Sequence, residues 1–159
     1  PGAGIVLPEK RIEEMVRAGL CHLDLVAFGR EPLGTVGPSV GRYCPIGSES
    51  SPIIQSIDSF GLPDLARRAL TYFLDKQRDD GFIQNYENYM LETGPALWTI
   101  GEHYRYTRDD AWVRRIAPKL IKACDYLIAG SRRNRRADLK GRGFGLLHGK
   151  VGDPEAPTD

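Results

Sequence analysis

The residues that could carry out chemistry are concentrated in three segments, 41–51, 82–95 and 146–159. These segments are rich in carboxylates, amides, aromatic rings and other polar groups, namely Tyr43, Glu49, Gln84, Asn85, Tyr86, Glu87, Tyr89, Glu92, His148, Lys150, Asp153 and Glu155. A carboxylic acid can protonate a leaving oxygen, and a carboxylate can activate water. Amides bind hydroxyl groups, and aromatic rings cover the apolar faces of pyranoses. This combination favours a site for a sugar.

The residues that usually bind metals do not form a recognisable metal site. Cys21, Cys44 and Cys124 are an odd number of cysteines at spacings unlike those of a zinc site, and His148 has no second ligand at a suitable spacing. Cys21 and Cys124 instead fall within apolar helical patterns, which predicts buried structural thiols. The sequence therefore predicts neither a metal nor a cofactor.

Charge and hydropathy argue against two classes of partner. The 159 residues contain 22 Lys and Arg against 21 Asp and Glu, so the net charge is only +1. The basic run 131–142 has no interleaved aromatic residues, which is typical of a solvated loop and not of a nucleic-acid interface. No apolar stretch approaches the roughly 20 residues that span a bilayer. We expect neither nucleic acid nor a membrane as a partner.

Apolar residues recur at steps of three and four along most of the chain, which is typical of amphipathic helices. The predicted helices span 8–29, 51–60, 63–78, 93–107 and 109–130. Ser51 and Pro52 would provide an N-cap and a first-turn proline, and Pro118 is expected to kink or split the fifth helix. No segment of useful length alternates with period two, as a half-buried strand does. The predicted fold class is all-α.

The helices also repeat along the chain. The stretch from Phe60–Pro63 to Asp80–Ile83 is echoed by the stretch from Thr107–Asp110 to Gly143–Leu146, at a distance of about 50 residues. This is the size of a two-helix unit whose apolar faces need neighbouring units to cover them. The repeat predicts an array of helical hairpins within a single domain that covers residues 1–159.

Several motifs resemble a known superfamily. Residues 72–83, in which two residues separate Gln77 from Asp80–Gly81 at a helix end, resemble a turn of the six-hairpin glycosidases. This group includes glucoamylases, trehalases, α-rhamnosidases and glycogen-debranching-type enzymes. Residues 92–98 and 102–109 are similar to the next inner helix and its exit, and 125–127 and 145–148 to the outer helix and loop that follow. The resemblance implies that residues 8–153 supply about the first five helices of a twelve-helix (α/α)6 toroid.

In such a toroid, the loops that enter the inner helices converge on one mouth, so the three segments 41–51, 82–95 and 146–159 should open on one side. The resemblance implies that Asp153 is the general acid. It implies substrate binding by Glu92, Glu49, Tyr43, Tyr86, Tyr89, Glu87 and His148. Glu92 is expected to be partly exposed in a cleft shared with Tyr43, Glu49 or Asp153.

Other aromatic and histidine residues are interpreted as structural. Trp98 lies on an apolar helical stripe and is expected to pack in the core, and His103 and Tyr104 lie at the far end of the same helix. Several of the related families carry a sugar-binding Arg–Asp pair before the first inner helix. This sequence has Tyr43–Ser50 there instead, so that pair is not carried over.

The resemblance implies part of a glycoside hydrolase of the inverting type that acts on oligo- or polysaccharides. Two alternatives stay open, namely a non-catalytic helical-repeat interaction module and a polysaccharide lyase on the same toroid. Both ends of the chain look like cuts within a longer protein. We therefore expect the chain alone to be inactive, with the remainder of the toroid or an oligomeric partner covering its open apolar flanks.

Overall fold

The computed structural model describes residues 4–25, 27–29, 35–39, 45–83 and 92–147. In chain order, these contain α1 (Lys10–Leu25), β1 (Ala27–Gly29), β2 (Val36–Pro38), α2 (Gly47–Ser59), α3 (Pro63–Asp75), α4 (Thr93–Thr107) and α5 (Asp110–Arg133), followed by a 3₁₀ turn at Ala137–Leu139. The helical prediction is confirmed, because strand is limited to one antiparallel pair, β1 with β2, within the described residues. None of the helices in these ranges combines the length and the apolar character needed to cross a bilayer.

Helices α2 to α5 form two consecutive hairpins. Three residues connect α2 to α3 and two connect α4 to α5, and connections this short place successive helices antiparallel. Gly61 and Arg108 adopt positive φ angles of 75° and 52° in these turns. The second hairpin is displaced along the chain by a nearly constant amount, since α4 begins 46 residues after α2 and α5 begins 47 residues after α3.

The first helices of the two hairpins run parallel to each other. The hydroxyl of Ser51, near the start of α2, donates to the carbonyl oxygen of Pro95, near the start of α4, at 3.2 Å. At the other end of the same two helices, Nδ1 of His103 lies 2.9 Å from a carboxylate oxygen of Asp58. Because the two helix starts contact each other and the two helix ends contact each other, α2 and α4 must run parallel.

The second helices of the two hairpins are also parallel. Arg67, in the first turns of α3, forms an ion pair with Asp109 at the start of α5, with an N–O distance of 2.9 Å. Further along, the ammonium group of Lys119 donates to the carbonyl oxygen of Leu74. The core lies between these four helices and contains Ile54, Ile57, Ala66, Ala69, Leu70, Phe73, Leu74, Ile83, Ala96, Ile100, Trp112 and Ala123.

The start of the second helix was predicted wrongly. It begins at Gly47 and not at Ser51, so Pro52 lies inside the helix. Ser51 does not cap the helix, because its hydroxyl contacts the carbonyl oxygens of Gly47 and Pro95. A serine hydroxyl at the contact between two helices can donate a hydrogen bond to a carbonyl oxygen of the other helix. The local sequence does not distinguish this role from capping.

The first and fifth helices also differ from prediction. Helix α1 ends at Leu25, and β1 occupies positions that were assigned to its last turn. Helix α5 is continuous through Pro118, so it is not split there, and it extends past Gly130 to Arg133. Gly130 lies inside the helix, where an added Cβ would lie 2.3 Å from a methyl group of Leu147, so glycine at this position permits close packing.

The burial predicted for both described cysteines was wrong. Cys21 and Cys124 are free thiols with exposed side chains. Each lies on an apolar stripe, but the part of the stripe that contains it is not covered by another described element. Amphipathic periodicity identifies an apolar face and does not show whether a neighbouring element covers it.

Candidate functional site

The starts of α2 and α4 lie directly against each other. A Cβ atom built on Gly47 would lie 2.7 Å from both Cα and the carbonyl oxygen of Glu92, closer than packed atoms approach. Only glycine therefore permits this approach at position 47. Because Gly47 lies within the first predicted site segment, 41–51, and Glu92 lies within the second, 82–95, two of the three segments meet here.

Glu92 is completely buried at this junction. It precedes the first turn of α4, its side chain makes no capping hydrogen bond, and its carbonyl oxygen accepts the N–H of Ala96 at 3.0 Å. The expected partial exposure in a cleft was wrong, because the start of α2 packs directly on this residue. A carboxylate at this position lies close to the positive end of the α4 dipole, which stabilises its negative charge.

The chain on either side of segment 84–91 is fixed by Thr93. The N–H of Ile83 donates to the Thr93 hydroxyl oxygen at 3.0 Å, and that hydroxyl lies 3.3 Å from the Ile83 carbonyl oxygen. Thr93 and Ile83 are both fully buried. Ile83 and Thr93 are thus held together at the start of α4.

Glu49 lies in the first turn of α2 and is half-buried. It is two residues from Gly47 and therefore belongs to the same end of the hairpins as Glu92. The remaining predicted site residues, Tyr43, Tyr86, Glu87, Tyr89, His148 and Asp153, lie outside the described residues. The described part of the site thus consists of the fully buried Glu92 and the half-buried Glu49 beside two parallel helix starts. Of these two carboxylates, Glu49 is the one that solvent reaches, and it can bind hydroxyl groups or contribute to acid–base chemistry.

Sequence reasoning missed a buried polar pair at the opposite end of the hairpins. The side chains of Asp58 and His103 are fully inaccessible, and Nδ1 of the imidazole lies 2.9 and 3.0 Å from the two carboxylate oxygens. Nε2 of His103 is also buried and makes no hydrogen bond. The structural role expected for His103 agrees with this geometry. The only available signal for Asp58 was a carboxylate beside the apolar stripe of Ile54 and Ile57.

A second polar group surrounds the start of α5. One carboxylate oxygen of Asp109 accepts the backbone N–H of Trp112 at 2.9 Å, which caps the helix, and the other pairs with Arg67. The Trp112 N–H bond, and then the charge of Arg67, hold the pKa of Asp109 below its ordinary value. The Arg67 guanidinium also lies 5.4 Å from the Trp112 ring centroid, within reach of a cation–π interaction.

An open cavity of about 570 Å³ lies beside these groups. It is lined by Asp58, Gly61, Pro63, Asp64, Arg67, Tyr106, Thr107 and Asp109. Two of its carboxylates already have protein partners, since Asp58 faces His103 and Asp109 faces Arg67 and the Trp112 N–H. These groups connect the two hairpins, which favours a structural role for this end of the molecule.

Trp98 does not pack in the core as predicted. Its side chain is 55% exposed, on the side of α4 that faces away from α2. Thr99 and His103 occupy the buried side of the helix instead. Within the described ranges, no group of three or more His, Cys, Asp and Glu side chains is arranged to hold a metal ion.

Comparison with protein-family models, with curated proteins and with solved structures finds no match to this chain.

Proposed function

We propose that this chain forms part of the catalytic domain of a glycoside hydrolase built on an (α/α)6 toroid. The observation that carries the proposal is the junction of two parallel helix starts, at which Gly47 approaches Glu92. In the toroid implied by the sequence resemblance, loops before parallel inner helices converge on the sugar. Helices α2 and α4 would be the inner helices, and α3 and α5 the outer ones.

In this proposal, the half-buried Glu49 binds sugar hydroxyl groups, and the fully buried Glu92 positions the start of α4 beside it. Aromatic side chains of the adjoining segments cover the apolar faces of the pyranose. Asp153 would donate a proton to the leaving oxygen. An inverting enzyme needs a second carboxylate, about 6.5–9.5 Å from the acid, to activate water. That base would come from a later part of a longer protein, with the remaining hairpins completing the toroid.

Kinetics of a longer protein that contains this chain test the role of Glu92. Glu92→Gln should lower kcat/KM on an oligosaccharide at least tenfold, which corresponds to about 1.4 kcal/mol. Asp64→Asn is the control, because this exposed carboxylate lies at the opposite end of the hairpins. Wild-type kinetics for a folded Glu92→Gln protein would leave this residue with a purely structural role at the helix start.

A second measurement separates the proposed function from its alternatives. The 159-residue chain alone should not hydrolyse aryl-glycosides or oligosaccharides, whereas the longer protein should. Hydrolysis by the chain alone that is abolished by Asp153→Asn would place the whole active site within these residues. Elimination to an unsaturated sugar would identify a polysaccharide lyase, and absence of sugar turnover and binding by the longer protein would favour a non-catalytic repeat module.

A further inference from the structure

The end of α5 extends beyond the other helices, at the end of the hairpins that carries the candidate site. Helix α3 has 13 residues and α5 has 24, although the two run parallel. The rings of Phe82 and Tyr126 stack at a centroid distance of 4.9 Å, and the neighbouring Ile83 is bound to Thr93 at the start of α4. Helix α5 therefore passes this start near Tyr126. Its last part, which ends at Arg133, extends roughly 10 Å further at 1.5 Å per residue.

This extension of α5 adjoins the described beginnings of two predicted site segments. Phe82, which stacks on Tyr126, is the first residue of segment 82–95. Leu146 is the first residue of segment 146–159, and its carbonyl oxygen accepts a hydrogen bond from the side-chain amide of Asn134 at 2.6 Å. The extension therefore lies beside the candidate site and not at the opposite end of the hairpins.

Positive charge is concentrated on the extension and on the turn that follows it, residues 131–142, which we name the basic rim. One carboxylate, Asp138, lies there among six cationic side chains, namely Arg132, Arg133, Arg135, Arg136, Lys140 and Arg142. The net charge of the basic rim is thus +5, and the rest of the chain carries −4, since the total is +1. Such a distribution creates a local positive potential that the small total charge conceals.

The basic rim is folded, although its sequence is typical of a solvated loop. Its first residues form the end of α5, and the Ser131 hydroxyl donates to the carbonyl oxygen of Gly145 at 2.8 Å. The Asp138 carboxylate pairs with Arg136 at 2.7 Å, and the Asp138 carbonyl oxygen accepts Nε of Arg142 at 3.1 Å. Internal hydrogen bonds therefore hold the backbone that carries the positive charges.

Most cations of the basic rim have no ion-pair partner within the described residues. Asp138 pairs with Arg136, which leaves Arg132, Arg133, Arg135 and Lys140 without a carboxylate there. The dipole of α5 favours cations in its last turn, which accounts for Arg132 and Arg133. It does not account for Arg135 and Lys140, which follow the helix. An anionic ligand would relieve the repulsion between these like charges.

We propose that the basic rim binds the carboxylate or sulfate groups of an acidic polysaccharide whose chain continues into the candidate site. This inference rests on the proposed function and names its substrate class. Arginine suits the role because its guanidinium group presents two parallel N–H donors to an oxyanion. Arg133 lies two helical turns after Tyr126, hence on the face of α5 that contacts Phe82. The aromatic residues that accompany basic ones in nucleic-acid interfaces are absent from residues 131–142.

Binding of defined polymers to the full 159-residue chain tests the proposal. The chain should bind polygalacturonate or dextran sulfate at least about tenfold more tightly than neutral dextran, and added salt should weaken this binding because it screens the charges. Polygalacturonate presents carboxylate groups and dextran sulfate presents sulfate groups, so the tighter of the two identifies the anionic group. Equal affinity for neutral dextran, or tighter binding of single-stranded DNA than of either acidic polymer, overturns the proposal.

Substitutions in the basic rim locate the binding surface. Arg133→Gln combined with Arg135→Gln should raise the Kd for the acidic polymer at least about tenfold. The matched control is Arg105→Gln combined with Arg114→Gln, which removes the same charge from exposed side chains at the opposite end of the second hairpin. Circular dichroism establishes that each variant is folded, and Lys140→Gln replaces Arg135→Gln if the first pair does not fold. Equal losses in both pairs overturn the proposal.

Kinetics of a longer protein that contains this chain distinguish failure of this inference from failure of the proposed function. Hydrolysis of acidic oligosaccharides, with a KM that the pair Arg133→Gln and Arg135→Gln raises, supports both. Hydrolysis of neutral oligosaccharides alone overturns the acidic substrate and leaves the glycosidase activity. Absence of any sugar hydrolysis, while the chain still binds the acidic polymer through the basic rim, overturns the proposed function and the substrate role and leaves the binding surface.

Discussion

The buried side chains of Asp58 and His103 form a polar contact between the two hairpins. They are 45 residues apart in sequence and come together only because α2 and α4 are parallel and in register. Burying such a pair costs desolvation free energy that its own attraction does not always offset. Replacement of either residue alone destabilises the fold, because the remaining polar group stays buried without a partner.

Asp58→Ala should therefore lower the free energy of unfolding by about 3–5 kcal/mol. Asp58→Asn should cost less, because the amide oxygen can still accept a hydrogen bond from Nδ1 of His103. Urea denaturation measures both changes. Asp64→Ala, at an exposed position of the same cavity, should change stability by less than about 0.5 kcal/mol. Equal effects of Asp58→Ala and Asp64→Ala would show that the buried pair contributes nothing specific.

Asp109 gives the chain a pH-dependent contribution to stability. Its pKa is lower in the folded chain than the ordinary 3.8, mainly because the carboxylate accepts the Trp112 N–H and also because Arg67 is close. A lowered folded pKa stabilises the protein above the unfolded pKa, and this contribution is lost as the pH falls through the folded value. The contribution should thus be complete at neutral pH.

Asp109→Ala should melt at a lower temperature than the wild type at pH 7, and the difference should shrink as the pH falls below about 3.8. Melting curves measured across this range test the prediction. Asp109→Asn serves as the control, since asparagine is also a good N-cap residue but has no charge to pair with Arg67. A melting difference for Asp109→Ala that does not depend on pH would contradict the assignment.

At the scale of elements, the turn after α3 fixes how the two outer helices pack. The Gln77 amide donates to the carbonyl oxygens of both Gly81 and Lys119, at 3.2 and 2.8 Å. Gly81 has a φ of 94°, and a Cβ there would lie 2.1 Å from the Lys122 carbonyl oxygen. Gly81 therefore has two separate requirements for glycine, a left-handed backbone and a close approach to α5.

Gly81→Ala should destabilise the chain by about 3 kcal/mol or more, because strain in the backbone adds to the clash with α5. Gly141 is the matched control. Its φ is 81°, but an added Cβ has no atom within 4 Å, so Gly141→Ala should cost only about 1–2 kcal/mol. Chemical denaturation gives the free energy of unfolding of both variants, and the difference between their losses is the part due to the clash with α5. Equal losses would mean that α5 shifts freely away from position 81.

At the scale of the whole molecule, stability is distributed unequally between α1 and the two hairpins. Ile12 and Met15 of α1 are 51% and 65% exposed, whereas Ile54 and Leu70 are fully buried in the core. Buried apolar area is the main source of stability. Most of the stability should therefore come from residues 45–147, with little from α1.

Removal of residues 1–25 should change the melting temperature by less than about 4 °C, which corresponds to about 1 kcal/mol for a domain of this size. Ile54→Ala, in contrast, should cost about 2–5 kcal/mol because it leaves a cavity in the core. Calorimetry measures both effects, and hydrogen exchange should show faster opening of α1 than of α2 or α4. A large loss of stability on truncation would show that α1 packs on the hairpins in solution.

Five helices and the all-α class could be predicted from local sequence patterns, and the described residues contain five α-helices. Pro63, Gly61 and Asp109 mark helix ends through backbone and capping preferences that operate within a few residues. The hairpin repeat was also visible, because a two-helix unit leaves a recurring trace in the sequence. The sugar site was predicted from residue types alone and stays a prediction.

Local sequence patterns do not show which apolar faces are covered or which polar groups meet, because both depend on how the helices pack. Trp98 and Cys124 lie on apolar stripes and are exposed, whereas Glu92 is a carboxylate and is fully buried. Periodicity along a helix reflects short-range geometry, whereas burial depends on a surface supplied by residues far away in sequence. The contact of Gly47 with Glu92, which joins two segments of the candidate site, exists because two helices that begin 46 residues apart run parallel.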